Sequence, residues 1–127
     1  MIKGEPIVFG HSPALEKLTR PIDNGFELNV VGDPQSNVAR YVDHPSGGLL
    51  AGTWDCQAGS WNGPGQKSAE IFTIMEGSVC VTSESGVSHD LRAGDTMYIP
   101  KGAKTHWKVD HYVKKAFVIM PHIDSNS

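Results

Sequence analysis

The sequence predicts an all-β single domain, and three observations carry the prediction. After residue 48 the chain is a succession of short runs rich in β-branched and aromatic residues: "LLAGTWDC", "EIFTIMEG", "SVCVTS", "VSHDL", "TMYI", "THWKVD" and "VKKAFVIM". The turn signals "NGPG", "EGS", "ESG", "AGD" and "PKG" separate them, at roughly ten residues per strand and turn, the rhythm of an antiparallel sandwich or barrel. No stretch of about ten residues after residue 48 keeps the apolar period of a helix.

Taken in order, residues 1–47 read as an N-terminal arm with edge strands packed on the barrel. Four of its prolines, Pro6, Pro13, Pro21 and Pro34, fall before residue 40 and break regular structure. "HSPALEKL" predicts one or two turns of helix, with Ser12 as cap and Pro13 at the first helical position. "FELNVVGDP" and "NVARYV" alternate well enough to be strands that wrap the body. Residues 48–121 form the barrel, each run a strand and each polar cluster a turn. Residues 122–127, "HIDSNS", read as a frayed tail. There is no internal repeat and no low-complexity linker.

Composition narrows the function classes. A chain of 127 residues can bury roughly two-thirds of its unfolded surface in one domain. With 39% hydrophobic and 20% charged residues it is an ordinary globular sequence. A net charge of −3 argues against nucleic acid as a partner. No apolar run approaches the roughly 20 residues needed to cross a bilayer, so a membrane is not expected as a partner. The start, "MIKGEPIVFG", lacks the apolar core of a secretion signal, which points to the cytoplasm. Cys56 and Cys80 then read as buried free thiols.

Two turns carry the most information. "AGDTMYIPKG" sets Gly94, five intervening residues, Pro100, one residue and Gly102, and Thr105 stands three places beyond that glycine. In "SAEIFTIMEG", six residues separate Glu70 from Gly77. The pattern resembles the cupin superfamily, the RmlC-like jelly rolls: the first is half of its second motif and the second is the end of its first. A histidine would stand in that motif at Thr105, and two more before Glu70, where "NGPGQK" supplies none. "GTWDCQAGSW", "THWKV" and "KKAFVIM" make the chain similar to one cupin branch over about residues 30–120. It is the small single-domain group of unknown function related to (S)-ureidoglycine aminohydrolase and to the ethanolamine-utilisation Q proteins. The resemblance implies a double-stranded β-helix, or jelly-roll barrel, a small-molecule pocket at one mouth, and a homodimer. It does not imply a reaction, because this fold hosts many.

The candidate site follows from these positions. Glu70, Gln66 and Thr105 offer one good metal ligand and two poor ones, so the expectation is a site without a metal cofactor. A divalent metal rescued by His106 or Gln66 is the alternative. Adjacent strand residues face opposite sides, so Thr105 and Trp107 are expected inward and His106 outward unless a bulge intervenes. Glu70 inside a barrel is a candidate general acid or base; it could equally be structural, bonded to indole N–H groups. Trp61, Gln66, Thr105 and Trp107 are expected to bind substrate, tryptophan walls being common in pockets for small polar or planar ligands. Trp54 belongs with them or with the core. Five lysines, Lys101, Lys104, Lys108, Lys114 and Lys115, follow residue 100 and form either an anion-attracting rim or a solvated face. Lys115 stands apart, since it matches a basic position near the last strand of that cupin branch, and it joins the substrate-binding set.

Other signals carry no chemistry. "GPGQKS" lacks the adjacent Gly-Lys-Ser/Thr of a phosphate loop. His44, His89, His106, His111 and His122 show no zinc-finger or metalloprotease spacing, and no nucleophile elbow is present. The leading expectation is a cytoplasmic protein binding a small polar metabolite, such as a sugar acid, amino acid or ureido compound, and able to act on it by metal-independent proton transfer through Glu70. The alternatives are a non-catalytic ligand-sensing or accessory module and a metal-dependent enzyme similar to ureidoglycine aminohydrolase. Phosphoryl transfer follows only from kinship with the ethanolamine-utilisation Q proteins.

Overall fold

The computed structural model describes residues 4, 6–9, 16–18, 29–44, 48–63 and 66–121, and these are all strand, turn or extended chain. The strands are β1 (Glu16–Leu18), β2 (Val31–Gly32), β3 (Ser36–His44), β4 (Leu49–Asn62), β5 (Glu70–Ser83), β6 (Ser88–Arg92), β7 (Thr96–Ile99) and β8 (Thr105–Ile119). Every pairing is antiparallel, in the order β1-β3-β4-β8-β5-β6, with β2 added to β4 and β7 to β5.

Three long strands make the barrel. β4 and β5 have 14 residues each and β8 has 15, far more than an ordinary flat sheet requires. Each is bent by register shifts: between Gln57 and Gly59 on β4, and between Ile74 and Glu76 and again between Gly77 and Cys80 on β5. A bulge adds twist and bends the strand, which lets one sheet curl around its own apolar face. The buried interior is that face: Phe72, Ile74, Val79, Val81, Val109, Val113 and Phe117 alternate with exposed or half-buried neighbours, and Cys56 packs among them.

Two expectations change. "EIFTIMEG" and "SVCVTS" are not separate strands, because the "EGS" between them is a bend inside β5 rather than a turn. Gly77 has φ +73°, and a Cβ there would stand 1.9 Å from the Tyr112 carbonyl oxygen, so the glycine serves a close crossing with β8. "THWKVD" and "VKKAFVIM" merge into β8 for the same reason. In the arm, Glu16–Leu18 of the expected helix are instead strand β1, paired with Ser36–Val38 of β3; residues 11–15 lie outside the described residues. A free sheet edge satisfies backbone groups that a helix of one or two turns, with its costly nucleation, would leave open. β3 runs along β4 and contributes Val38 and Ala39 to the buried interior. Residues 26–28 of "FELNVVGDP" and the tail at 122–127 also lie outside the described residues.

Candidate active site

Strand register places the acidic and basic groups. Glu70 begins β5, opposite Ile119 of β8 and Ile99 of β7, all on the inward face. Lys115 faces inward from β8, opposite Trp54 of β4 and Ile74 of β5. The two side chains meet inside the barrel, with Lys115 Nζ donating to Glu70 Oε2 at 2.8 Å and the side chains only 10% and 9% exposed. Gln66 Nε2 reaches the other oxygen, Oε1, at 3.4 Å. The loop carrying Gln66 is pinned by its own backbone, whose N–H donates to the Ala103 carbonyl (3.0 Å) while its carbonyl accepts from Gly102 N–H (2.8 Å).

Aromatic rings enclose the ammonium. Lys115 Nζ lies 4.5 Å from the Phe72 ring centre, 4.7 Å from Trp107 and 4.9 Å from Trp54. Trp61 stacks on Trp107 at 6.0 Å, and Trp54 meets both indoles edge-on. Desolvating a carboxylate and an ammonium costs several kcal/mol each, about what a charge-assisted hydrogen bond and cation–π contacts of up to about 2 kcal/mol apiece can offset. The Trp107 indole N–H donates to Thr105 Oγ1 at 2.9 Å, so that hydroxyl accepts from the cage. Trp107 is buried on the same face as Thr105, and His106 turns away, its Nδ1 2.8 Å from Asn62 Oδ1. The alternation of β8 is therefore unbroken here, as its sequence led us to expect.

Beside Thr105 lies a cavity of about 400 Å³. Val81, Met97, Ile99 and Ala103 line it with carbon, while Ser83, Glu84, His89 and Lys104 surround the opening. Its inner wall adjoins the cage through the sheet: Ile99 pairs with Glu70, Met97 with Phe72, Val81 with Trp107 and Ser83 with Thr105. Of the residues singled out from sequence, Thr105 and Lys104 line this cavity, and Glu70, Gln66, Lys115, Trp61 and Trp107 belong to the cage beside it. Reading the sequence left Trp54 open between wall and core, and missed Phe72 as a cage wall and His89, Met97 and Ile99 as cavity lining. Trp54 shares its strand parity with buried Cys56, a signal that was available. The lining residues depend on the bend of β5, which sequence did not reveal.

Two further polar groups sit against this centre. Cys56 is fully buried next to the pair, and burial, reinforced by the nearby Asp55 charge, pushes its thiol up to about 12. Asp55, on the opposite face of β4, accepts from Asn37 Nδ2 (2.9 Å) and Tyr112 Oη (2.8 Å). Burial first and that hydrogen bond second raise the Tyr112 hydroxyl above its ordinary range. Both cysteines are free, Cys56 buried and Cys80 half-buried.

A family profile for the EutQ-like cupin domain matches residues 44–117, more than half of the chain. The chain belongs to the EutQ-like cupin family. Solved structures agree with its jelly-roll fold. A putative ethanolamine utilization protein Q from Salmonella typhimurium LT2 is 24% identical, with 70% of this chain and 72% of that chain covered and a TM-score of 0.61. A protein of unknown function from the DUF861 family, from Pseudomonas syringae pv. tomato, is 22% identical over 85% of this chain and 45% of that chain, with a TM-score of 0.69. A DUF861 protein from Thermotoga maritima is 28% identical over 55% of this chain and 78% of that chain, with a TM-score of 0.52. A search of curated proteins returned no match. Among the described residues no helix is long and apolar enough to cross a membrane.

At the motif positions where a cupin would place metal ligands, the side chains have partners within the protein. The carboxylate oxygen that would ligate an ion already accepts from an ammonium at 2.8 Å, and a second cation there would meet the Lys115 charge. Gln66 turns its N–H toward Glu70, Thr105 accepts from an indole, and His106 is engaged with Asn62.

Proposed function

We propose that this cupin binds a small polar metabolite at the barrel mouth and moves a proton on it through Glu70, without a metal. The observation that carries the reading is the 2.8 Å contact between Glu70 Oε2 and Lys115 Nζ within three aromatic faces. A carboxylate fixed against an ammonium is an acid–base couple held ready in a low-dielectric site. The Glu70 carboxylate can take a proton from a carbon next to a carbonyl. The C–H pair moves into an enolate whose oxygen charge the Lys115 ammonium neutralises, and returning the proton reverses the step. Trp61 and Trp107 supply flat walls, and Gln66 and Thr105 supply polar contacts that orient the metabolite.

The test is exchange of carbon-bound hydrogen for deuterium in D2O, followed by NMR over a panel of small oxoacids and ureido compounds. Wild type is expected to exchange one of them and Glu70→Gln to lose at least about a hundredfold in rate. Equal exchange by the variant would remove Glu70 from the chemistry.

One observation favours a non-catalytic, ligand-sensing reading: both oxygens of Glu70 accept hydrogen bonds from the protein's own side chains. A metabolite that raises the melting temperature by binding only the native state, with no exchange or turnover, would support sensing instead.

A further inference from the structure

The cavity beside Thr105 has a chemistry that the cage behind it does not. Its floor is hydrocarbon: Val81 and Ile99 are 1% and 3% exposed, and Met97 packs beside them. Its opening carries Lys104 and His89 against one carboxylate, Glu84. A sugar, with hydroxyls on every face, would leave those groups unpaired against the floor. At about 400 Å³ the space exceeds what a two-carbon acid fills and lies in the range of ligand pockets.

We infer that the ligand of this mouth is amphipathic, a small carboxylic acid with a phenyl or branched-alkyl body. The body lies on Val81, Met97 and Ile99, and the carboxylate meets the Lys104 ammonium and a His89 ring N–H at the opening. The inference rests on reading the mouth as a ligand site and narrows its substrate class from polar metabolites to acids with an apolar body. It also gives the wall between cavity and cage a role. Ile99, under the ligand, is the cross-strand partner of Glu70 on the same inward face, so a ligand seated here has its body beside the acid–base pair.

The experiment is calorimetric titration of the whole chain with phenylacetate as probe, with acetate, glucuronate and benzyl alcohol for comparison. Burying a phenyl group is worth about tenfold or more in affinity, so phenylacetate should bind at least about tenfold tighter than acetate or glucuronate. Benzyl alcohol, which lacks the charge, should bind more weakly than phenylacetate. Lys104→Met should weaken phenylacetate about threefold to tenfold. Ala103→Phe, which fills the cavity from its side, should abolish binding while the far-ultraviolet spectrum stays native. Glucuronate binding as tightly as phenylacetate, or phenylacetate binding unaltered by Ala103→Phe, or no phenylacetate binding by a folded wild type, would each overturn the inference. The two claims fail separately. The order of affinities is read on wild type, Lys104→Met and Ala103→Phe, none of which alters the acid–base pair, whereas exchange that survives in Glu70→Gln overturns only the chemistry.

Discussion

Lys115 is a cation tethered to the chain inside the barrel. Its ammonium is bound by one carboxylate and three aromatic faces, and neither member of the pair can be removed without burying an uncompensated charge. Glu70→Leu is therefore expected to cost about 3–5 kcal/mol of folding stability by urea unfolding, whereas Glu70→Leu with Lys115→Met should recover most of the loss. Additive costs in the double variant would mean the pair is not coupled. Burial of Cys56 has its own signature. Its thiol is raised from 9.0 to about 12, so the folded state holds that proton more tightly than the unfolded chain does. The contribution is fully present below about pH 9 and is lost as pH rises toward about 12. Denaturation midpoints at about pH 8 and about pH 11 should fall for wild type and fall less for Cys56→Ala; equal slopes would show that Cys56 titrates freely. Tyr112, raised by burial and by Asp55, adds to the wild-type slope in the same direction. Part of this arrangement was legible. The cupin resemblance singled out Glu70 and Thr105, and strand parity put Trp107 inside and His106 outside. That Lys115 would reach Glu70 was not legible, because its cross-strand partner on β5 is Ile74, four residues away. Only the length of a lysine stem and the curl of the barrel close that gap.

At the scale of the elements, the barrel depends on bent long strands, and Gly77 is where β5 bends. A side chain there meets the Tyr112 carbonyl and must also hold a left-handed backbone. Gly77→Ala should cost about 2 kcal/mol or more, read as a lower urea midpoint with unchanged m-value. A near-neutral result would mean that β8 yields freely at this crossing. Strand composition and turn chemistry identified the β segments, since both are local properties. They could not distinguish the "EGS" bend from a turn, because bulges and turns use the same residues. The arm was less legible still: "HSPALEKL" carries helix-start residues, yet Glu16–Leu18 pair with β3, where a sheet edge outweighs local preference.

For the whole molecule, Ile71 is 37% exposed on the outer face of β5, opposite Tyr98 at 59%. The family resemblance implies a homodimer, and we propose this face for the contact. Light scattering should give twice the mass of one chain, and Ile71→Asp should return it to one; a wild-type monomer would refute the pairing. What decides the reading is whether the tethered ammonium, rather than a metal, supports the proton transfer. The most direct measurement is the rate of deuterium exchange into the metabolite, taken for wild type with and without EDTA, for Lys115→Met and for Lys115→Arg. The predicted result is a rate that EDTA leaves unchanged, that Lys115→Met abolishes and that Lys115→Arg partly restores. A rate that EDTA removes, that added divalent metal returns and that persists in Lys115→Met would contradict it.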